Sequence, residues 1–332
     1  MYTSHRNTLA SPLICCYMLV GCLACWVKGY MDSVGFPVYG EVMAPPLWNS
    51  ICGALTGKGV TYLLGCLLMS GGAFLLHRAN YTLMLIREKT LLPFFFYLLL
   101  ISANPDFMPV KSTSVGVFCL VLSIYQLFLS YHDEEAADKI YNASLILAVG
   151  SLLWTPLLLF IPLYWWGMYN FRSMSPRTFC ASLLGVATVY WFLTGWCLWI
   201  GDFSILTVPF SSLTKIHLIS HHDSDWVKNI GAIYLFVLTL LASANILRHE
   251  YEDNLRTRQF LYFLILLSIW TFTLYALYYD PYSDELLELV CMPVSILLAH
   301  FFTVCRGKVM VYLFHFTVLF YLSSSFVRLW NF

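Results

Sequence analysis

The sequence predicts an all-α, polytopic transmembrane helical bundle of about 11 spans, and three observations predict it. Of its 332 residues, 60% are hydrophobic and only 11% are charged, whereas a soluble domain is about 45–50% apolar and about 25% charged. The apolar residues come in continuous runs, as a spanning helix of about 20 residues requires. An outer-membrane barrel would instead alternate apolar and polar residues in strands of about ten. The formal net charge is zero, so no overall field favours nucleic acid and the partner expected is the lipid bilayer.

The spans fall at 12–27, 59–76, 91–103, 112–131, 143–153, 155–169, 178–200, 227–247, 260–279, 289–305 and 309–326. The first contains Leu19-Val20-Gly21-Cys22, which fits a lipoprotein-type cleavage box. Its apolar run continues through Leu23, Ala24, Trp26 and Val27. A cleaved signal should give way to a polar mature start, so an uncleaved helix is expected. The runs 91–103, 143–153 and 155–169 are short. The last two form either two crossings or a re-entrant hairpin, which is tolerated only where other protein buries the turn. The 11 cysteines fall almost entirely within apolar runs, where they behave as small hydrophobes, and no disulfide framework follows.

Orientation follows from the asymmetry of Lys and Arg. With the N-terminus in the cytoplasm and the segments alternating, 12 of the 18 Lys and Arg residues fall on the cytoplasmic side. The other side holds Lys28, Lys58, Lys111, Lys215, Lys228 and Arg328. The expectation is a multi-pass membrane protein with a cytoplasmic N-terminus.

Four polar segments lie on the outer side. Residues 28–58 hold Asp32, Glu41 and Ala44-Pro45-Pro46-Leu47-Trp48. Their 42–55 part suits a helix lying in the membrane interface, with Trp48 at home there. The acids read either as solvated loop residues or as a base placed at the membrane surface. Asn104-Pro105-Asp106-Phe107-Met108-Pro109 is a turn, in which Asp106 either caps the next helix or serves a site. In 201–226, His217 and His221 are four apart, with His222, Asp223 and Asp225 beside them. A solvated loop is the plainer reading. Imidazole with carboxylate also suits a divalent metal, held by His221, Asp223 and Asp225, or phosphate binding and proton transfer. Residues 280–288 are acidic and turn-rich and read as a solvated loop. No Walker lysine or phosphate-cradling glycine loop is present, which argues against an ATP-driven pump. No Asp, Glu, Lys or Arg is expected deep in a span, which ranks a transporter last.

The order of these features resembles a known arrangement. An N-terminal span is followed by an outer loop with an early acid, the Ala-Pro-Pro-Leu-Trp segment, a second span and a basic inner loop. A short span ending in Asn104-Pro105-Asp106 comes next, then another span and a 141–156 run ending Leu153-Trp154-Thr155-Pro156. This is similar to the N-terminal module of the GT-C glycosyltransferases, polytopic enzymes that use lipid-phosphate-linked sugars. The resemblance divides the chain into a GT-C-like module, 1–200, with outer interfacial loop 28–58, and C-terminal helices, 201–332, with outer loop 201–226. It implies a catalytic base at Asp32 or Glu41 and an assisting acid at Asp106. It also implies a polyprenyl-phosphate-linked sugar as partner. Lys58, Lys111, Lys215, His217, His221 and His222 would then bind substrate phosphate, with or without a divalent metal. The chain also resembles multi-pass inner-membrane proteins of Bacteroidota that share the Asn-Pro turn and the Ala-Ser-Leu segment but carry no assigned function. A non-catalytic scaffold of envelope biogenesis therefore stands beside the glycosyltransferase expectation.

Overall fold

The computed structural model describes residues 12–32, 47, 48, 51, 55, 57–88, 90–213, 226–249, 251, 253–305 and 307–330. Every regular element among them is helical. Twelve α-helices follow in chain order: α1 (Pro12–Asp32), α2 (Lys58–Leu83), α3 (Leu92–Ser102), α4 (Ser112–Leu129), α5 (Ala137–Leu153), α6 (Ile161–Asn170), α7 (Pro176–Ile200), α8 (Ser204–Leu213), α9 (Trp226–Arg248), α10 (Leu255–Leu277), α11 (Tyr279–Val304) and α12 (Lys308–Trp330). Two 3-10 turns, Pro105–Phe107 and Thr155–Phe160, interrupt them. Eight of the helices are long and apolar enough to cross a membrane, namely α1, α2, α4, α7, α9, α10, α11 and α12. Ten of the expected runs each coincide with one α-helix, and the eleventh, 155–169, is split between the 3-10 turn Thr155–Phe160 and the ten-residue α6. The 289–305 run differs most, because α11 begins ten residues earlier, at Tyr279.

Local chemistry explains the helix ends. Ser175 caps α7, accepting from the Thr178 N–H while the Thr178 hydroxyl accepts from the Ser175 N–H, and Pro176 takes the first helical position. Gly201 closes α7 in the left-handed conformation, φ 77°, which glycine adopts without a Cβ clash. Asn104 caps the 3-10 turn by accepting from the Asp106 N–H. At the start of α4, Ser114 Oγ accepts from the Lys111 N–H.

The innermost helix is α11, which packs on α3, α4, α9 and α10. Its membrane-length stretch Asp284–Val304 is almost wholly buried. By contrast, α7 rests mainly on α5 and turns most of its surface outward. Close approach there depends on Gly185, where a Cβ would sit 2.7 Å from the Tyr141 carbonyl oxygen and 2.9 Å from Ser144 Cβ. Small residues at such contacts let helix backbones meet in a lipid environment, where van der Waals packing drives association.

The two ends of the bundle differ. One end gathers basic residues. There Arg87 pairs with Asp253, Thr257 donates to the Met84 carbonyl, and Ser175 donates to the Glu134 carbonyl. The Arg256 guanidinium lies over the Tyr131 and Phe260 rings. The opposite end holds Lys28 over Phe326, Lys58 over Tyr30 and the Trp26–Ser102 hydrogen bond.

Candidate functional site

The site is built on the turn that follows α3. This helix has only 11 residues, about 16 Å at the α-helical rise, so it ends short of a full membrane depth and leaves its turn inside the bundle. Phe107 and Met108 anchor that turn in the core. Met108 is wedged between glycines, with Gly29 of α1 facing its sulfur and Gly65 of α2 facing its backbone. The Val110 N–H donates to the Thr61 carbonyl and ties the turn to α2. Asp106 is half-buried, while Asn104 and Lys111 are buried. A buried lysine is rare in any protein and indicates a local demand for positive charge.

Facing this turn is the start of α11. Residues 280–288, which read as a solvated loop in the sequence, are helical. Glu285 is buried and Glu288 is 0% exposed. Their spacing of three puts both carboxylates on one face of the helix, directed inward. Both acids are thus buried within the first turns of the candidate span Asp284–Val304, where the sequence suggested a solvated loop. Glu285 Oε2 accepts from Trp154 Nε1 at 2.9 Å, which pins the tip of the α5–α6 hairpin to the acidic end of α11. The neighbouring Asp284 pairs with Lys228 of α9 at 3.0 Å. Between α9, α11 and the turn that follows α3 runs a cleft of about 40 Å³, lined by Asn104, Phe107, Lys228, Leu235, Leu287 and Cys291 among others. That is room for about three water molecules.

The other expected site residues are distributed as follows. Asp32 ends α1 and is exposed. Lys58 begins α2 at the same end of the bundle, with its ammonium 4.7 Å from the Tyr30 ring centroid. Glu41, Lys215, His217, His221, His222, Asp223 and Asp225 lie outside the described residues, and so does most of the 42–55 segment. The site expected at His221, Asp223 and Asp225 for a divalent metal lies there too. Among the described residues, no group of three His, Cys, Asp or Glu is placed to hold a metal ion.

A second polar centre was invisible in the sequence. At the basic end, Asp253 is shared between Arg87 Nε at 2.5 Å and His300 Nε2 at 3.5 Å. Burial pushes the Asp253 carboxyl up, but the His300 and Arg87 contacts outweigh it and hold the group below the usual carboxylate range. His300 lies near the C-terminal end of α11 and is buried.

A family profile matches residues 59–328, well over half of the chain. The chain belongs to DUF6427, a family of unknown function. No curated protein and no solved structure matches it. The stretch shared with DUF6427 includes Asp106, Lys111, Lys228, Glu285, Glu288 and the Arg87–Asp253–His300 centre. Asp32, Glu41 and Lys58 precede it.

Proposed function

We propose that this DUF6427 chain is a bacterial inner-membrane enzyme of the cell envelope that works on a lipid-phosphate-linked sugar, with a GT-C-like arrangement in its first 200 residues. In this reading the chain crosses the membrane eleven times and keeps its N-terminus and basic end in the cytoplasm. The single observation that carries the reading is the set of acids and lysines at the end opposite the basic one. Asp106 and Lys111 lie on the turn that follows α3, Glu285 and Glu288 are buried at the start of α11, which packs on that turn, and Lys228 ties α9 to α11 through Asp284. A positioned carboxylate can take the proton of an acceptor hydroxyl, and an ammonium can balance the charge of a departing phosphate. The balance of support moves from Asp32, which is exposed at the end of α1, to Asp106 and the α11 acids.

The test is genetic and chemical. A deletion strain should accumulate a polyprenyl-phosphate-linked intermediate in its lipid extract. At least one of Asp106→Asn, Glu285→Gln and Glu288→Gln should fail to complement while reaching wild-type levels in the membrane. Full complementation by all three, with an unchanged lipid profile, would remove the catalytic reading and favour the scaffold.

One observation favours a transport reading: α11 carries Glu288 and His300, two buried ionisable groups on one membrane-length helix. Solute uptake into proteoliposomes that is abolished by Glu288→Gln, with no lipid intermediate in the deletion strain, would select that reading.

A further inference from the structure

Among the described residues, three other than glycine have a left-handed φ, Met84 at 52°, His132 at 58° and Arg172 at 54°, and all three lie at the basic end. A side chain is strained there, because its Cβ crowds a neighbouring carbonyl. At the end of α6 the Ser173 N–H donates to the Met168 carbonyl and the Arg172 N–H to the Tyr169 carbonyl. In this closing motif the place of Arg172 usually belongs to glycine. The end of α4 meets it. The His132 N–H donates to the Phe171 carbonyl at 3.0 Å, which sets His132 beside Arg172. Both residues are exposed. A third basic residue, Arg256, comes from the first turn of α10 and is also exposed. Its guanidinium lies 5.7 Å from the Tyr131 ring centroid, and the His132 ring lies 4.8 Å from the same centroid. Packed rings of Phe128, Phe171 and Phe260 form the floor that brings the three helix ends together. Among the described residues no carboxylate pairs with His132, Arg172 or Arg256. Asp133 is taken by Lys139 at 2.9 Å. Glu134 and Glu135 follow it toward α7, where the Glu134 carbonyl accepts from Ser175. A cation at a helix C-terminus complements the helix dipole, which would suffice for His132 and Arg172. It does not suffice for Arg256, which stands at the N-terminal end of α10, where the dipole disfavours a cation.

The geometry points to a binding site for the phosphate of an anionic phospholipid, held by Arg172 and Arg256 with the His132 imidazole beside them. A guanidinium presents a planar fork of N–H donors that matches two phosphate oxygens at once. Strained backbone is kept at two positions where glycine would be unstrained, so it is the side chains that these positions require. What borders the site favours a lipid over free phosphate. The helices α4 and α10 are membrane-length, and residues just beyond their ends stand at headgroup depth. Tyr169, three residues before Arg172, is 74% exposed, and Met174, two residues after it, is exposed as well. Tyrosine is at home where headgroups meet acyl chains, and basic clusters at that level bind anionic headgroups. The site is independent of whatever chemistry the opposite end performs.

The test uses the full-length protein in a neutral detergent. Its melting temperature is followed on titration with short-chain phosphatidylglycerol, with phosphatidylcholine and with inorganic phosphate. Phosphatidylglycerol should raise the melting temperature saturably, because a ligand of the folded state stabilises it. Phosphatidylcholine and inorganic phosphate at the same concentrations should have little effect. Arg256→Gln and Arg172→Gly should each weaken the apparent affinity for phosphatidylglycerol about fivefold, the effect of losing one cation near a charged surface. Arg248→Gln removes another exposed arginine, at the end of α9, and should leave the affinity unchanged. Without lipid, Arg172→Gly should melt no lower than the wild type, because glycine relieves the left-handed strain. An arginine that only capped α6 would give the opposite result, a lower melting temperature with unchanged affinity for the lipid. That result, or equal weakening by Arg248→Gln, or no preference of the wild type for phosphatidylglycerol over phosphatidylcholine, would overturn the site. An equal response to inorganic phosphate would overturn the lipid as its ligand.

Discussion

Asp253 shows how a single residue can matter without any sequence signal. Its partner Arg87 is 166 residues away in the chain, and neither position stands out in a charged loop. Because the folded pKa is lowered, Asp253 contributes stability that is fully present above the ordinary carboxylate value and is lost as pH falls through the lower folded one. Asp253→Asn should therefore cost about 1.5–3 kcal/mol at neutral pH, the range for hydrogen bonds to charged groups. The gap between the two thermal melting curves should stay constant from about pH 7 to pH 5 and close below about pH 4. A gap that widens toward acid would contradict the assignment. Glu285 and Glu288 were hidden differently. Asp280-Pro281 suggests a turn, yet proline also fits the first turn of a helix. The three-residue spacing of the acids, running straight into the apolar stretch, was the signal that the helix starts early.

At the scale of elements, the eight long apolar helices were legible, because apolar run length is fixed by bilayer thickness and needs no tertiary information. What the runs could not show was their neighbours. The α5–α6 hairpin is an example: its two short runs left depth open, and one hydrogen bond, Trp154 to Glu285, places its tip beside the acidic end of α11. Trp154→Phe keeps the ring but removes the donor to a buried carboxylate. It should lower stability by about 1–3 kcal/mol and raise hydrogen exchange at residues 152–156 ahead of global unfolding. The α5–α7 contact offers a second test. Gly185→Val would put side-chain atoms into the Tyr141 and Ser144 backbone region. Overpacking of this kind costs about 1–3 kcal/mol, visible as a lower melting temperature in detergent. Gly195→Val, with nothing within 4 Å of its Cβ position, should change the melting temperature little.

For the whole molecule, the sequence supplied alternation and charge bias, and the structure supplies which loops share an end. Arg87, Glu134, Ser175, Asp253 and Thr257 are joined through hydrogen bonds at one end, while Lys58, Lys111, Lys228 and Glu285 belong to the other. This sorting uses side-chain contacts alone and places Arg87 and Arg256 at one end and Lys28, Lys58 and Lys228 at the other. Positive loops are retained on the cytoplasmic side, so the basic end should face the cytoplasm. Asp32 and Arg256 are both exposed and lie at opposite ends of the bundle. In intact cells, Asp32→Cys should react with a membrane-impermeant maleimide, while Arg256→Cys should react only after the membrane is permeabilised. The reverse pattern would invert the protein and place Asp106 and the α11 acids at the cytoplasmic end. Reaction of both from one side would break the alternation itself, and with it the eleven-crossing topology.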